Sequence, residues 1–435
     1  MIRSFRGRCI TSVVTLHEFE SAAQHGRLHL KVTSESLQVT TGLPPGAGFA
    51  ITPSVRKIAL NLTLPNRESG FSFLVRNTSA QDQRFASAFG IVEKAIAAHA
   101  FPACSIAVCL RGELVAHKAV GRFTYDPLAP EATTATLFDL ASLTKVVATT
   151  AMAMVLYERG LLDLEAPVTA IIPEFGGADV NRREVTVRML LAHSSGLPAY
   201  ERLFLRAHNR AELLQHALTT ELAAIPGTHA EYSDIGFIIL GVALERLADE
   251  SLATFCQREI FGPLGMTHTT FNPTPALKDS IPLTADDRSF RHRIIQGEVQ
   301  DENASVLGGV AGHAGLFSTA EDLAIFAHAM LNGGYPVLRA NTVELFSRRE
   351  SEPVGTSRAL GWDTPSSPSQ SGKYFSSNGF GHLGYAGTSL WIDPDRQLSV
   401  ALLTNRTWPD CQNQAIKQVR PAFHDAIIEA LGITA

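Results

Sequence analysis

The stretch "LFDLASLTKVVATTAMAMVLYERG", residues 137–160, decides how this chain is interpreted. It places Ser142 and Lys145 three residues apart, and the sequence after the lysine is almost wholly apolar until Glu158. Such a run predicts a helix that is buried on nearly all sides, with Gly160 as its C-terminal cap. Because residues three apart share one face of a helix, we expect the serine hydroxyl and the lysine amine to be neighbours.

The Ser142–Lys145 pair has the chemistry of a nucleophile beside a general base. Burial disfavours the ammonium form and lowers a lysine pKa, and a neutral amine accepts the proton of a hydroxyl. The start of a helix also favours a developing oxyanion. The same spacing occurs at Ser54 and Lys57, but in an alternating, strand-like run in which residues three apart point to opposite faces. Only the first pair is therefore expected to be catalytic.

A second motif, "YSD" at residues 232–234, precedes an apolar helical run. Ser233 or Asp234 has the residue type of a helix N-cap, which would be a structural role. Alternatively, Tyr232 projects from the loop before the helix and relays protons to and from the serine through its phenolic hydroxyl. The motif by itself leaves both interpretations open.

A third motif lies in "FGHLGYAGTSLWIDP", residues 380–394, which is strand-like and rich in glycine. Gly384 and Gly387 permit a ligand to approach the backbone closely, and His382 would then point into that groove. The alternative is an ordinary histidine at the end of a strand.

The order of predicted elements indicates the fold class. Residues 1–80 are expected to form a β-rich appendage of unknown role, followed by a larger domain over 81–435. Strands at both ends of that domain with helices between them predict an α/β (α+β) architecture. An antiparallel sheet flanked by helices would be built from about 81–140 and 360–435, with an all-α subdomain inserted at about 150–350.

Composition narrows the classes of partner. A net charge of −5 gives no electrostatic case for nucleic acid, and no apolar window reaches the roughly 18 residues of a membrane span. Five scattered cysteines without a C-x-x-C pair predict neither a disulfide framework nor a zinc cluster, and no cofactor is implied. The N-terminal apolar run is too short for a signal peptide, so a cytoplasmic location is expected, with export as the alternative. The oligomeric state is left open.

The order S-x-x-K, Y-S-D and H-x-G resembles the serine β-lactamase and penicillin-binding protein superfamily. The resemblance is greatest to the class C-like branch, which contains class C β-lactamases, D-alanyl-D-alanine carboxypeptidases and family VIII carboxylesterases. It covers about residues 85–430 and includes "LLAHSSGLPAY", "YSDIGFIILGVALERLA", "GHAGLFSTAEDLAIF" and "GTSLWIDPDRQLSVALLTNR". It implies the β-lactamase/transpeptidase-like fold.

The resemblance also implies a role for each motif. In the superfamily the serine of the S-x-x-K motif forms an acyl-enzyme, which implies that Ser142 is the nucleophile. Lys145 and Tyr232 would share the roles of general base and general acid. His382 would be the basic residue facing the cleft. The backbone N–H groups of Ser142 and Tyr385 would form the oxyanion hole. The chain is therefore expected to be a serine hydrolase acting on a small-molecule or peptide substrate.

Two positions depart from the superfamily pattern, within a substrate-binding set of Asp234, Leu383 and Gly384. Position 234 is usually asparagine, and position 383 usually has a hydroxyl. A gained negative charge and a lost hydroxyl donor disfavour a carboxylate-bearing substrate. We therefore expect an esterase-like hydrolase. The alternatives are a D-alanyl-D-alanine carboxypeptidase or β-lactamase-type hydrolase and, from another class, a penicillin-binding or sensing module without turnover.

Three further features have structural alternatives. "AHSSG" is a near match to the G-x-S-x-G nucleophile elbow with Ser194 as nucleophile and "VTVRMLLA" as a preceding strand, but Pro198 interrupts the helix that an elbow requires. The segments that contain His193 and His313 are expected to be mainly structural, with a position of these histidines at the border of the cleft as the alternative. The S-x-x-E spacing at residues 318–321 predicts a helix capping box.

Overall fold

The computed structural model describes residues 75–434 and, before them, the backbone of six short strands. The chain separates into two compact units, residues 1–70 and 71–435. The strands of the first unit pair antiparallel, Thr11–Ser12 with Leu62–Thr63, Phe19–Glu20 with Thr52–Pro53, and Leu28–Val32 with Leu37–Thr41. The Ser54–Lys57 pair lies outside the described residues, and the domain boundary near residue 80 stays a prediction.

A six-stranded sheet forms the centre of the second unit. In chain order its strands are β1 (Val75–Arg76), β2 (Ala103–Leu110), β3 (Glu113–Gly121), β4 (Phe380–Leu383), β5 (Ser389–Asp393) and β6 (Leu398–Thr404). Their spatial order is β4-β5-β6-β2-β3-β1, and only the β1–β3 pair is parallel. The sheet is thus built from both ends of the domain, as the sequence predicts.

Tight turns join the strands of the two hairpins. Arg111 and Gly112 have φ values of 51° and 81°, the left-handed conformation that a two-residue hairpin between β2 and β3 requires. Gln397, with φ of 52°, donates its N–H to the Pro394 carbonyl at 3.3 Å in the turn before β6. These turn residues set the register of the strands that follow them.

Helices surround the sheet, and most of them belong to the part of the chain between strands β3 and β4. The helices of eight or more residues are α1 (Ala86–Ala97), α2 (Ala151–Glu158), α3 (Arg210–Thr219), α4 (Asp234–Ala248), α5 (Ala320–Leu331), α6 (Ala340–Ser347) and α7 (Ile416–Leu431). Shorter α-helices are Gln81–Arg84, Val168–Ile171, Val187–Leu191, Leu252–Cys256, Gly262–Leu264 and Glu302–Val306. Within residues 75–434, no helix has the length and apolar character needed to cross a membrane.

The sheet separates two apolar clusters, because strand side chains alternate between its faces. α1 and α7 pack against each other on one face, where Val108 and Val400 are buried. α5 and the helical region cover the opposite face, where Ala107 and Ala401 are buried. The site described below lies on this second, helical side.

The prediction of one continuous helix over residues 137–160 is wrong. The stretch begins with the strand Phe138–Asp139, which pairs antiparallel with the strand Leu316–Ser318. A 3₁₀ turn at Ala141–Leu143 and a π-helical segment at Lys145–Thr150 follow, and only then does α2 begin. Pairing with a distant strand therefore outweighs the helical preference of the first residues, although the serine and lysine remain neighbours.

The predicted capping box at residues 318–321 is also wrong by one position. Thr319 is the N-cap of α5, and its hydroxyl accepts a hydrogen bond from the Asp322 N–H at 3.2 Å. Ser318 belongs to the preceding strand, and its hydroxyl bonds that of Thr269 at 2.8 Å. The helix therefore begins one residue later than predicted, because Ser318 is the last residue of a paired strand.

Candidate active site

Ser142 lies in a strained turn. Ala141, directly before it, has φ of 47°, which is uncommon for a residue with a side chain. Asp139 holds this turn, because its buried carboxylate accepts the backbone N–H of Ala141 at 2.8 Å and that of Gln300 at 2.7 Å. Burial raises the pKa of Asp139 to about 6. Sequence reasoning missed this residue, although an acid inside an apolar stretch beside the nucleophile is a visible signal.

Lys145 is fully buried among three acceptors. Its Nζ lies 2.9 Å from Ser142 Oγ, 2.6 Å from Asp234 Oδ1 and 3.1 Å from the carbonyl oxygen of His313. Three acceptors match the three donors of an ammonium group. Burial lowers the pKa of Lys145, and the Asp234 carboxylate opposes this effect without restoring the ordinary value. Lys145 therefore releases its proton more readily than an exposed lysine does.

Tyr232 reaches Ser142 from the loop before α4, as the second motif predicts. Its hydroxyl donates to Ser142 Oγ at 2.7 Å, and its ring centroid lies 4.8 Å from Lys145 Nζ. Burial raises the pKa of Tyr232 well above its ordinary value, and the Asp234 charge adds to the effect. The phenol therefore stays protonated, and two donors converge on one serine oxygen.

The two candidate N-caps of the second motif have different roles. Ser233 is the cap of α4, since its Oγ accepts from the Gly236 N–H at 3.0 Å and donates to the Pro198 carbonyl at 2.7 Å. Asp234 is the first residue of the helix, and its carboxylate pairs with Lys145. The negative charge of Asp234 is therefore compensated inside the site, which weakens the argument that it repels an anionic substrate.

His382 lies in β4 with its ring centroid 5.9 Å from that of Tyr232. Its Nδ1 is 2.8 Å from the Leu383 carbonyl, which only accepts, so Nδ1 has the hydrogen and Nε2 the lone pair. Nε2 is buried and has no hydrogen-bond partner in the described part of the chain. Burial lowers the pKa of His382 well below its ordinary value, and the Lys145 charge adds to this. His382 therefore presents a neutral acceptor.

Leu383 and Gly384 contribute differently from each other. The half-buried Leu383 side chain packs against the apolar cluster under α1 and α7. Gly384 lies against the nucleophile segment, where an added Cβ would stand 2.5 Å from the Leu140 carbonyl oxygen and 1.9 Å from Thr388 Oγ1. The Thr388 hydroxyl donates to the same Leu140 carbonyl at 2.9 Å. Only glycine permits this close approach of the third motif to the segment before Ser142.

Tyr385 directly follows Gly384 in the chain. Its side chain is half exposed, and its ring centroid lies 4.6 Å from the Arg406 guanidinium carbon. Its carbonyl accepts a hydrogen bond from Arg406 Nε at 2.7 Å, which fixes the following peptide. The assignment of the Ser142 and Tyr385 N–H groups to an oxyanion hole stays a prediction.

The structure thus brings the residues of the first two motifs into one hydrogen-bonded group, made of Ser142, Lys145, Tyr232 and Asp234. His382 contacts this group through the Tyr232 ring. Among residues 75–434, no group of three or more His, Cys, Asp or Glu side chains is arranged to hold a metal ion. The chemistry of the arrangement is that of an activated hydroxyl with a base and a proton donor in hydrogen-bond reach.

Comparison with known proteins agrees with this geometry. The family model described as "Beta-lactamase" matches residues 89–420. The chain belongs to the β-lactamase family. It is 32% identical over 353 residues to the N-acetylmuramyl-L-alanine amidase of Bacillus subtilis (strain 168), an alignment that covers 73% of this chain and 79% of the relative. It is 32% identical over 307 residues to a putative D-alanyl-D-alanine carboxypeptidase of Escherichia coli (strain K12), covering 63% and 70%.

A solved structure confirms the β-lactamase/transpeptidase-like fold. EstCE1, described as a hydrolase with promiscuous acyltransferase activity, superposes with a TM-score of 0.67 at 20% identity, covering 80% of this chain and all of EstCE1. The family match and the curated relatives make this chain a serine hydrolase of the β-lactamase and penicillin-binding protein type. The resemblance found in the sequence is thereby confirmed.

His193 of this β-lactamase-family chain packs against the residues of the second motif. Its ring centroid lies 4.8 Å from that of Tyr232 and 4.9 Å from that of Phe237. Its Nδ1 accepts the Ser233 N–H at 3.0 Å, and burial lowers the pKa of His193 well below its ordinary value. The structural role expected for His193 therefore includes positioning the tyrosine.

His313 is connected to Lys145 in a way that the sequence did not reveal. Its carbonyl accepts from Lys145, while its Nε2 lies 2.8 Å from Asp301 Oδ1. Asp301 also accepts the Ala304 N–H at 2.7 Å and so caps the helix Glu302–Val306. The Asp301–His313 pair thus fixes one of the three acceptors of the lysine.

Ser194, the alternative nucleophile, does not lie in the strand–turn–helix structure of a nucleophile elbow. The preceding "VTVRMLLA" contains the helix Val187–Leu191, where a nucleophile elbow requires a strand. The Ser194 N–H donates to the Met189 carbonyl at 2.8 Å and closes the end of that helix. The structure therefore gives Ser194 a place in a helix-terminating turn.

Proposed function

We propose that the chain hydrolyses an amide or ester bond through an acyl-enzyme on Ser142. The observation that supports this most is that Lys145 Nζ at 2.9 Å and Tyr232 OH at 2.7 Å converge on Ser142 Oγ in a buried site. A serine hydroxyl is a weak nucleophile until a base within hydrogen-bond reach removes its proton. Here a base of lowered pKa and a protonated phenol are both in place.

In the acylation step, neutral Lys145 takes the Ser142 proton while Oγ bonds the carbonyl carbon of the substrate. The carbonyl oxygen becomes an oxyanion, for which the family resemblance supplies the N–H groups of Ser142 and Tyr385. When this intermediate collapses, the bond to the leaving amine or alcohol breaks. Tyr232 gives the leaving group its proton and regains one from the Lys145 ammonium through the hydrogen-bonded group.

In the deacylation step, a water molecule attacks the acyl carbon. Its proton passes to the Tyr232–Lys145 pair, and the bond between the acyl carbon and Ser142 Oγ breaks. Oγ recovers a proton from the same pair, and the carboxylic acid product leaves. Each half-reaction therefore returns the site to its starting protonation.

Amide bonds of cell-wall peptides are the first substrate class of this proposal. The expected esterase-like preference depended on Asp234 and Leu383, and the Asp234 charge is paired with Lys145 while the Leu383 side chain packs into the apolar cluster under α1 and α7. The two curated relatives, named as an amidase and a carboxypeptidase, support the peptide class. Carboxylic esters are the second candidate, because position 383 still lacks the hydroxyl that would bind a substrate carboxylate.

The test combines turnover with intact-protein mass. Wild-type protein is mixed with an N-acetylmuramyl-L-alanyl peptide, a D-alanyl-D-alanine peptide, p-nitrophenyl butyrate and a chromogenic cephalosporin. Ser142→Ala is the inactive variant, and Ser194→Ala is the matched control, since it removes a second buried hydroxyl. We expect turnover of a peptide in wild type and Ser194→Ala, and none in Ser142→Ala.

Other outcomes separate the alternatives. Turnover retained in Ser142→Ala would refute the acyl-enzyme. Ester turnover without peptide turnover would restore the esterase-like interpretation. A stable adduct from the cephalosporin without turnover of any substrate would identify the non-enzymatic penicillin-binding module.

A further inference from the structure

Two separate segments hold the nucleophile and the base, and one carboxylate bonds to both segments. Asp139 Oδ1 accepts the Ala141 N–H at 2.8 Å, in the turn that presents Ser142. Asp139 Oδ2 accepts the Gln300 N–H at 2.7 Å, from a segment 161 residues further along the chain. The side chain is buried, and each of its oxygens has one backbone donor. Asp139 therefore ties the turn of the nucleophile to the segment that begins at Gln300.

The segment after Gln300 leads back to the base. The next residue, Asp301, has its Oδ1 2.8 Å from His313 Nε2, and the His313 carbonyl accepts from Lys145 Nζ at 3.1 Å. Lys145 Nζ in turn lies 2.9 Å from Ser142 Oγ. These hydrogen bonds and the covalent chain between them form a closed ring that starts and ends at Ser142. The distance between nucleophile and base therefore depends on each bond of this ring.

The turn before Ser142 needs such support. Ala141 has φ of 47°, a conformation that residues with a side chain rarely adopt and that persists only where the surroundings impose it. Asp139 bonds the N–H of this same residue and so acts directly on the strained backbone. Because the Ser142 side chain follows at once, a relaxed turn would displace its hydroxyl from Lys145.

The Asp139 carboxyl group accepts two N–H groups well only when it is ionised. Once it is protonated, one oxygen has a hydrogen that faces an N–H donor, so that contact weakens. Burial raises the pKa of Asp139 to about 6, against the effect of its two N–H donors. Two charged groups also influence this pKa, Asp301 and Arg291. Arg291 is paired with Asp287 at 2.7 Å and therefore does not neutralise Asp139.

We propose that Asp139 is a positioning residue that holds the nucleophile and the base at reacting distance and releases them when it is protonated. This proposal rests on the proposed function, since it assumes that Ser142 attacks with Lys145 as base. Asp139 would act through the Ala141 and Gln300 N–H groups, without contact with the substrate. The consequence is a second ionisation in the pH dependence, separate from that of Lys145. Because the ionised form is the working one, the rate should fall as the pH drops through about 6.

The test measures the reactivity of Ser142 itself, as the rate at which an alkyl fluorophosphonate labels the protein. Oγ bonds phosphorus, its proton passes to Lys145 and fluoride leaves, and intact-protein mass follows the adduct. At about pH 8, Asp139→Asn should label roughly tenfold to 10²-fold more slowly than wild type, since an amide has one acceptor oxygen and a small misplacement has a cost of that size. Its rate should also lack the ionisation near pH 6 that wild type shows.

Asp393→Asn is the matched control. Asp393 is also buried, and its two oxygens accept the backbone N–H groups of Arg396 at 3.2 Å and Ser376 at 2.9 Å. It is the last residue of β5, so the substitution weakens a comparable pair of bonds outside the ring. We expect a lower thermal stability, with the labelling rate of Ser142 and its pH dependence unchanged.

Each remaining result counts against the proposal. Labelling of Asp139→Asn at the wild-type rate would overturn it, as would no labelling of wild type. Slower labelling with the wild-type pH dependence would also overturn it, because a merely structural residue gives that result. If Asp139→Asn does not fold, wild type and Asp234→Asn still decide.

The Asp234→Asn comparison uses the two ionisations of the folded protein. That of Lys145 should move in the variant, and the one near pH 6 should stay in place. A single ionisation that moves would overturn the proposal. Failure of the proposed function would appear separately, as turnover in Ser142→Ala.

Discussion

The two sides of Ser142 differ in how completely their polar groups are paired. On the base side, Lys145, Tyr232 and Asp234 bond to one another through Ser142 or directly, at 2.6–2.9 Å. On the strand side, the buried Nε2 of His382 has no partner in the described part of the chain, and the Tyr385 side chain is half exposed. The base side is complete before a substrate binds, and the strand side is not.

This difference indicates a division of labour. A preassembled base and nucleophile lower the barrier without rearrangement, and their loss should reduce kcat. Unpaired groups in a buried site cost free energy until a ligand pairs with them, so they favour a substrate with complementary groups. Changes on the base side should therefore affect the chemical step, and changes to the unpaired groups of the strand side should affect which substrate is bound. A displacement of the whole strand away from Ser142 should affect the chemical step as well.

The largest effect is expected for Lys145→Met. The substitution keeps the length of the side chain and removes the base, so kcat should fall by about 10²–10⁴-fold. Turnover of the best substrate, measured under saturation, checks this. A fall of less than tenfold would show that another group takes the Ser142 proton.

A control separates chemistry from folding in that experiment. Lys145→Met leaves the Asp234 carboxylate without its partner, which alone destabilises a protein by roughly 3–5 kcal/mol. The double variant Lys145→Met/Asp234→Asn removes the unpaired charge. It should recover most of the thermal stability while kcat stays low, and recovery of both would contradict the role of Lys145 as base.

The second effect concerns the strand side, through Gly384→Ala. The added methyl would meet the Leu140 carbonyl at 2.5 Å and Thr388 Oγ1 at 1.9 Å, so the strand must move away from the nucleophile segment. Overpacking of this kind costs about 1–3 kcal/mol of stability, and a displacement near 1 Å lowers catalysis by about 10²-fold. Gly90→Ala in α1 is the matched control, since nothing lies within 4 Å of its added Cβ. Gly384→Ala with wild-type kcat/KM would show that the close approach is unnecessary.

Local signals in the sequence were sufficient for most of the sheet and for the second motif. The β2–β3 hairpin depends on turn residues next to its strands, and the start of α4 depends on a cap three residues from its partner, Ser233 with Gly236. The contact predicted from the S-x-x-K spacing is present although the continuous helix is not. A 3₁₀ turn followed by a π-helical segment also places Lys145 Nζ 2.9 Å from Ser142 Oγ. Patterns within a few residues are therefore predictable from side-chain chemistry.

Features that depend on distant segments were not predictable. The strand Phe138–Asp139 exists because it pairs with residues near 317, and the Asp234–Lys145 pair joins positions 89 apart. Arg358 gave no signal at all, since its contact with Tyr232 arises only in the folded chain. The superfamily resemblance supplied the roles of the motifs, but it could not show that His382 is neutral or that Asp234 is compensated.

The smallest expected effect is a shift in pH dependence for Asp234→Asn, which introduces the residue usual in the superfamily. Lys145 acts as a base only when deprotonated, so the acid limb of kcat/KM follows its pKa. Burial lowers that pKa and the Asp234 carboxylate raises it, so removing the carboxylate should lower the pKa further. The acid limb should therefore move to lower pH, which a pH–rate profile measures directly.

Asp301→Asn provides a graded comparison for that profile. Asp301 also raises the pKa of Lys145, but it contributes less than Asp234 and has no direct bond to the lysine. Its substitution should move the acid limb in the same direction by a smaller amount. If Asp234→Asn moved the limb to higher pH or left it in place, the limb would belong to a group other than Lys145, and the base side of the site would need a different base.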